Sequence, residues 1–381
     1  MNFAFVCHLD PENMSTWSGT PSFIIKTLRE LGHSVTSVCP QDLSWHLTAR
    51  FKGRIQKHFF GRNYHAGRSP RVLKRRAKIL GAALNRLTEI DYVLTIFPTD
   101  AAFLKSEAPI AIIHDATWSQ LLDFYPGLER DYLAKETIED GFISDLAALT
   151  NCKKSIYFSA WARASAIRDM RCEQTKVRTI APGANLLNRP LKLQVLRYIE
   201  NRSTERCKLL FVGQDWRRKG ADKAVAITKH LNELGAPAEL HLVGCLPPDN
   251  RSIPNYVILH GFLDKCLPKD CQNLDHLFAT SHFFVLPTIA ENAGVVFCEA
   301  ASYGMPSLTH NIGGVATIVQ DRKNGRLFDL NSTPLEWAQW IQAVFQDQKA
   351  YSQFAAWSLE DAHTRLNWES FCKELVEFLS S

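Results

Sequence analysis

Two spacings of apolar residues alternate along this chain. Short runs that are apolar throughout, such as Phe3 to Cys7, predict strands buried on both faces. Between them lie longer stretches with helical spacing; Phe23, Ile24, Thr27, Leu28 and Leu31 are the first, ended by Gly32. Further strands are predicted at 34–39, 92–96, 110–113 and 177–181, then at 208–212, 239–243, 256–259 and 283–286. A helix is predicted at 221–234, and three more at 334–346, 351–365 and 369–379 close the chain. Strand–helix–strand alternation predicts parallel sheets with helices on both faces, an α/β class. The rhythm starts twice, so residues 1–185 and 186–350 read as two α/β/α domains, followed by helices over 351–381.

Composition agrees with this division. A chain of 381 residues exceeds the usual size of one core. With 46% hydrophobic and 22% charged residues, disorder is not expected. No run approaches the roughly 20 apolar residues of a bilayer span. Met1 to His8 lacks the basic and apolar regions of a signal peptide, so a cytoplasmic protein is expected. The ten cysteines form no Cys-x-x-Cys pair and no zinc-like cluster, which predicts reduced thiols and no metal site.

Charge changes the picture in one place. The net charge is +5, yet Leu43 to Thr88 holds no Asp or Glu and twelve Lys or Arg residues. Trp45, Ile55, Phe59 and Phe60 interleave with those cations. The readings are a peripheral face for anionic membrane centred on 50–86, a site for a negatively charged acceptor, nucleic-acid contact, or a solvated insertion. Nucleic acid is not expected, because no recognised nucleic-acid motif accompanies the run.

Four segments offer chemistry. Pro287 to Ala300 follows a predicted strand and opens a helix, the place where open parallel sheets bind ligands. Amides at Asn292, Ala293, Gly294 and Val295 would meet a phosphate there, and the helix dipole would favour its charge. Glu291 and Glu299 stand eight residues apart, about 12 Å along the axis if both are helical. The alternative is a surface Glu and an ordinary helix Glu. Phe211 to Gly220 ends a strand in glycine and then presents Arg217, Arg218 and Lys219, cations able to neutralise a diphosphate leaving group or simply to line a solvated loop. His114 and Asp115 end a predicted strand and serve either an acceptor or the local hydrogen bonding. Ser15 to Thr20 forms a second helix start, at Gly19, without the G-x-G-x-x-G of a dinucleotide fold.

In order and spacing these segments resemble the retaining glycosyltransferases of family 4. Glu291 to Glu299 is similar to the family's Glu-x7-Glu, followed by Gly313-Gly314-Val315 and Asn324 to Phe328. Phe158 to Trp161 and Val177 to Asn185 resemble its domain-joining segment, and Trp368 with the last helix its C-terminal end. The resemblance implies the GT-B fold, two Rossmann-like domains facing across a cleft, with the final helices crossing back to the first domain. It implies transfer of a hexose from a nucleoside-diphosphate sugar to a glycan or lipid-linked acceptor, with retention and the departing phosphate as base. Glu291 would bind donor-sugar hydroxyls, Glu299 the ribose and Lys219 the diphosphate, with Gly19 beside the phosphates and His114 or Asp115 near the sugar. Gln214 stands where many members have arginine, and Arg217 or Arg218 would supply that charge. The chain has no Asp-x-Asp, which fits an enzyme needing neither metal nor cofactor. An epimerase or hydrolase on the same scaffold, and a non-catalytic nucleotide or glycan binder, are the rival readings.

Overall fold

A computed structural model describes residues 1–40, 46–248 and 252–381. The chain forms two compact units, Met1–Ala181 with Phe371–Ser381, and Pro182–Ser370. Each is built on one six-stranded parallel sheet.

In unit 1 the strands are β1 (Asn2–Val6), β2 (Ser34–Val38), β3 (Tyr92–Thr95), β4 (Ile110–His114), β5 (Lys154–Tyr157) and β6 (Val177–Thr179). The helices between them are α1 (Thr20–Glu30), α2 (His46–Phe60), α3 (Pro70–Leu84), α4 (Pro98–Ala101), α5 (Trp118–Leu121), α6 (Lys135–Asn151) and α7 (Ala160–Arg168). Strand order is β2-β1-β3-β4-β5-β6, with Phe5 paired to Ser37 on one side and Leu94 on the other. The apolar run predicted at the N-terminus is fully buried from Phe3 to Cys7, as a central strand covered on both faces must be.

Unit 2 follows the same plan. It contains α8 (Lys192–Glu200), β7 (Cys207–Val212), α9 (Ala221–Glu233), β8 (Ala238–Val243), β9 (Val257–Gly261), α10 (Pro268–Thr280), β10 (Phe283–Leu286), α11 (Val295–Ser302), β11 (Ser307–His310), β12 (Gly325–Phe328), α12 (Pro334–Gln346), α13 (Gln348–Thr364) and the first residues of α14 (Trp368–Ser380). Strand order is β12-β11-β10-β7-β8-β9. Helix α14 begins in unit 2 and its residues from Phe371 onward belong to unit 1.

Both sheets are doubly wound. The chain runs outward from β7 through β8 to β9, then returns to β10 on the other side of β7. Loops after β7 and β10 therefore leave in opposite directions and open a crevice at the strand ends. The same reversal occurs between β1 and β3 in unit 1.

The basic run folds as α2 and α3, and part of it is internal. Arg76 is buried and donates to Asp100 at 2.9 Å. Arg68 pairs with buried Asp145 at 3.2 Å and lies 3.8 Å above the Trp118 ring. A solvated insertion therefore does not describe the whole stretch. Trp45 lies outside the described residues. No described helix is long and apolar enough to cross a membrane.

Candidate active site

In unit 2 the loops after β7 and β10 touch at the base of the crevice by close backbone approach. A Cβ on Gly220, whose φ is +79°, would stand 2.1 Å from the Pro287 carbonyl oxygen. A Cβ on Gly213 would meet Lys219 Cγ at 2.9 Å. Only glycine lets the β7 and β10 loops touch this way. The contact is stitched by Ile289 N–H donating to the Arg218 carbonyl at 2.9 Å and by the Thr288 hydroxyl donating to the same oxygen at 3.2 Å. Within the β7 loop, the Asp215 carboxylate accepts from Arg218 N–H at 3.0 Å.

This framework brings the predicted donor residues together. Lys219 Nζ forms an ion pair with Glu291. Arg218 Nη1 donates to the Ala290 carbonyl at 3.0 Å and stands 3.7 Å from Glu291. These three side chains are 13%, 9% and 15% exposed for Lys219, Glu291 and Arg218, so water screens their charges weakly. Arg217 is exposed and Gln214 is exposed, so Arg218 is the one of the two arginines that turns into the crevice. Asp215 Oδ2 also lies 3.5 Å from Arg218 Nε, so the two cations are balanced by two carboxylates, Glu291 being the more buried of the two.

Helix α11 brings partial positive charge to the same place. Gly294 is its N-cap, at φ +84°, and supplies no side-chain cap bond to the first turn. The first amides of a helix lack intrahelical partners, and the dipole is positive at that end. Asn292 and Ala293 are buried just ahead of the cap, while Gly294 and Val295 are half-buried. A side chain at 294 would strike Phe297 at 2.7 Å, which keeps the approach to these amides bare.

Glu291 lies in the loop before Gly294 and not in the helix, so the 12 Å helical spacing considered for the two acids does not apply. Its carbonyl accepts from Gly314 N–H at 3.3 Å, which fixes it from the loop after β11. Glu299 is buried within α11 and accepts from Lys265 Nζ at 2.5 Å. Lys265 also donates to the Asn185 carbonyl at 3.1 Å. Sequence reading missed Lys265. It follows β9 in a loop 34 residues from Glu299, and no local pattern joins them.

The remaining candidates belong to unit 1. Gly19 is the N-cap of α1 at φ +81°, preceded by Trp17 and Ser18, also at positive φ. His114 ends β4 and is buried; its Nδ1 lies 3.0 Å from the Ala116 carbonyl and its Nε2 3.4 Å from the Ser155 hydroxyl. Burial pushes its pKa down to about 3, so the imidazole is neutral at physiological pH. Asp115 beside it is half-buried.

Residues 195–357 match the family model of glycosyl transferases group 1. This stretch contains β7 through α12 and hence all the residues of unit 2 that the sequence predicts for a donor site. Among curated proteins, a D-inositol 3-phosphate glycosyltransferase of Xylanimonas cellulosilytica is 27% identical over 172 residues, covering 44% of this chain and 41% of that protein. Spore coat protein SA of Bacillus subtilis is 23% identical over 169 residues, covering 44% and 39%. The chain thus spans less than half the length of these relatives. Among solved structures, sucrose-phosphate synthase of Thermosynechococcus elongatus aligns over 100% of this chain and 98% of its own, with a TM-score of 0.69 and 17% identity. Anabaena HepE in complex with UDP aligns over 100% of both, with a TM-score of 0.66 and 13% identity. The fold is that of the GT-B glycosyltransferases.

Proposed function

We propose that this chain is a metal-independent hexosyltransferase of the family 4 type. It moves a sugar from a nucleoside-diphosphate sugar to an acceptor hydroxyl with retention of anomeric configuration. The observation that carries this reading is the convergence of Lys219, Arg218 and Glu291 in front of the glycine-capped start of α11. The group 1 match over the same unit supports it, as does the likeness to Anabaena HepE in complex with UDP.

The diphosphate sits at the first amides of α11, where backbone dipoles and two cations meet negative charge. Glu291 takes the hexose hydroxyls and Glu299 the ribose hydroxyls. As the bond from the anomeric carbon to the phosphate oxygen breaks, its electron pair leaves with the diphosphate. Lys219 and Arg218 stabilise that developing charge. The acceptor oxygen bonds to the anomeric carbon on the same face, and its proton passes to the departing phosphate oxygen.

A thermal-shift comparison of UDP, GDP and ADP tests the donor site. One diphosphate is expected to stabilise the protein by about 2.7 kcal/mol at a concentration a hundredfold above its Kd. No shift with any of the three would remove the proposal. Conversion of the matching sugar nucleotide to an isomer without acceptor would identify an epimerase instead.

The acceptor is a glycan or lipid-linked precursor, met by a cytoplasmic protein resting on anionic membrane through residues 50–86. Phe59 and Phe60 are 72% and 64% exposed. Arg54, Lys57, Arg71, Lys74, Arg75 and Lys78 are exposed on α2 and α3. Each cation near an anionic surface contributes roughly 1 kcal/mol, and the two rings add apolar burial. Phe59→Ser with Phe60→Ser is expected to lower co-sedimentation with phosphatidylglycerol vesicles about tenfold or more. Equal binding of the wild type to neutral and anionic vesicles would rule this surface out.

A further inference from the structure

Glu299 is a buried carboxylate whose charge is met from outside its own helix. Its side chain is 4% exposed, and Lys265 Nζ donates to its Oε1 at 2.5 Å from the loop between β9 and α10. Among the described residues no second donor reaches the carboxylate, which leaves Oε2 open. An ionised carboxylate only accepts, so an acid held at one oxygen and open at the other is preset to receive hydroxyls.

The lysine is itself held on several sides. Its Nζ also donates to the Asn185 carbonyl at 3.1 Å. Asn185 is buried, and its side-chain oxygen accepts from the Trp368 indole N–H at 3.0 Å. A Cβ on Gly183 would stand 2.3 Å from the Trp368 backbone nitrogen, so the segment leading to Asn185 lies tight against the start of α14. In the loop, the Asp264 carboxylate accepts from Cys266 N–H at 2.8 Å, and the Asp270 carboxylate accepts from Asp264 N–H at 2.9 Å. The Lys265 carbonyl accepts from the Cys271 thiol at 2.8 Å. These bonds fix the loop backbone, while Asn185 and Glu299 fix the ammonium.

The pair differs in kind from Lys219 and Glu291. A diphosphate is charged and competes for Lys219, whereas ribose hydroxyls are neutral and bond to Glu299 without displacing Lys265. Removing one member of a buried ion pair leaves the other charge uncompensated, which is costly. Glu299 without its lysine takes up a proton or swings toward water. Once protonated, one of its oxygens becomes a donor and the acid no longer accepts two hydroxyls.

We propose, on the donor reading above in which Glu299 takes the ribose hydroxyls, that Lys265 is a positioning residue that holds the charge and direction of the Glu299 carboxylate and so sets a preference for ribose over 2′-deoxyribose in the nucleotide.

Calorimetry on the full chain, with UDP and GDP and their 2′-deoxy counterparts, tests this. A hydroxyl bonded to a charged group is worth about tenfold or more in affinity, so the wild type should prefer the ribonucleotide by that factor. Lys265→Met removes the ammonium and keeps an unbranched apolar stem. It should weaken ribonucleotide binding about tenfold and lower the ratio of ribo- to deoxynucleotide affinity to about threefold or less. Glu299→Gln should lower the ratio in the same way. Adding Lys265→Met to Glu299→Gln should change the ratio no further, because the lysine acts through the acid. That double variant carries no unpaired buried charge, so it reports even where the single lysine variant fails to fold. The proposal is overturned if Lys265→Met keeps the wild-type ratio, if it weakens both nucleotides equally, or if the double variant changes the ratio beyond Glu299→Gln. A wild type that binds ribo- and deoxynucleotide alike also overturns it and leaves the diphosphate site standing. A wild type that binds neither strikes the transferase reading itself, and the role of Lys265 with it.

Discussion

Replacing Glu291 with glutamine is expected to cut sugar transfer by roughly two to three orders of magnitude while tightening the hold on free nucleoside diphosphate. The opposite signs follow from the resting pair. In the ligand-free site Glu291 neutralises Lys219 and stands 3.7 Å from Arg218. A diphosphate has to compete with that carboxylate for both cations. The amide keeps the shape and the hydrogen-bonding edge but carries no charge, so the cations are released to the phosphates. In this weakly screened setting the gain should be about tenfold in UDP affinity. Turnover falls because the same carboxylate no longer holds the hexose hydroxyls as positive charge develops at the anomeric carbon. Calorimetry with UDP and initial rates with the sugar nucleotide read the two effects separately. A mutant that turns over at the wild-type rate takes Glu291 out of the reaction. One that loses UDP affinity shows that Glu291 does not compete with the diphosphate.

The meeting of Arg218, Lys219 and Glu291 was legible because they sit at strand ends flagged by glycine and followed by helices, a pattern that survives in one dimension. Buried polar strands were not. β11 reads Ser307-Leu308-Thr309-His310, which no hydropathy pattern marks, yet all four residues are buried. It can be interior because His310 finds partners: its Nδ1 meets the Thr288 carbonyl at 2.9 Å and its Nε2 meets Lys223 at 2.8 Å. β5 begins with lysine and is not among the predicted strands, although Ser155 to Tyr157 are buried. The basic run misled in the opposite sense. Arg68 and Arg76 look like surface charge until Asp145 and Asp100 appear beside them, 77 and 24 residues away. Lys265 is hidden for the same reason, since its partner lies 34 residues along the chain. Periodicity reports which face is buried; it does not report which charges meet there.

Gly220 and Gly235 bracket α9, and exchanging each for alanine should separate conformational strain from steric conflict. Their φ values are +79° and +78°, so the cost of placing a Cβ in the left-handed region is the same, about 1 to 2 kcal/mol. A Cβ at Gly235 meets nothing within 4 Å, and that variant should lose only this amount. A Cβ at Gly220 lies 2.1 Å from the Pro287 carbonyl oxygen and 2.8 Å from its carbon. Backbone cannot rotate aside as a side chain can, so the β10 loop must move away, adding a further 1 to 3 kcal/mol or more. Because Arg218 holds that loop through Ile289 and Ala290, the displacement carries Glu291 off Lys219. Gly220→Ala should therefore lower denaturation midpoints more than Gly235→Ala and also abolish the thermal shift with nucleoside diphosphate, which Gly235→Ala retains. Equal destabilisation by the two substitutions would mean that the β7 and β10 loops are not held in contact in solution, and the anion site built on that contact would go with it.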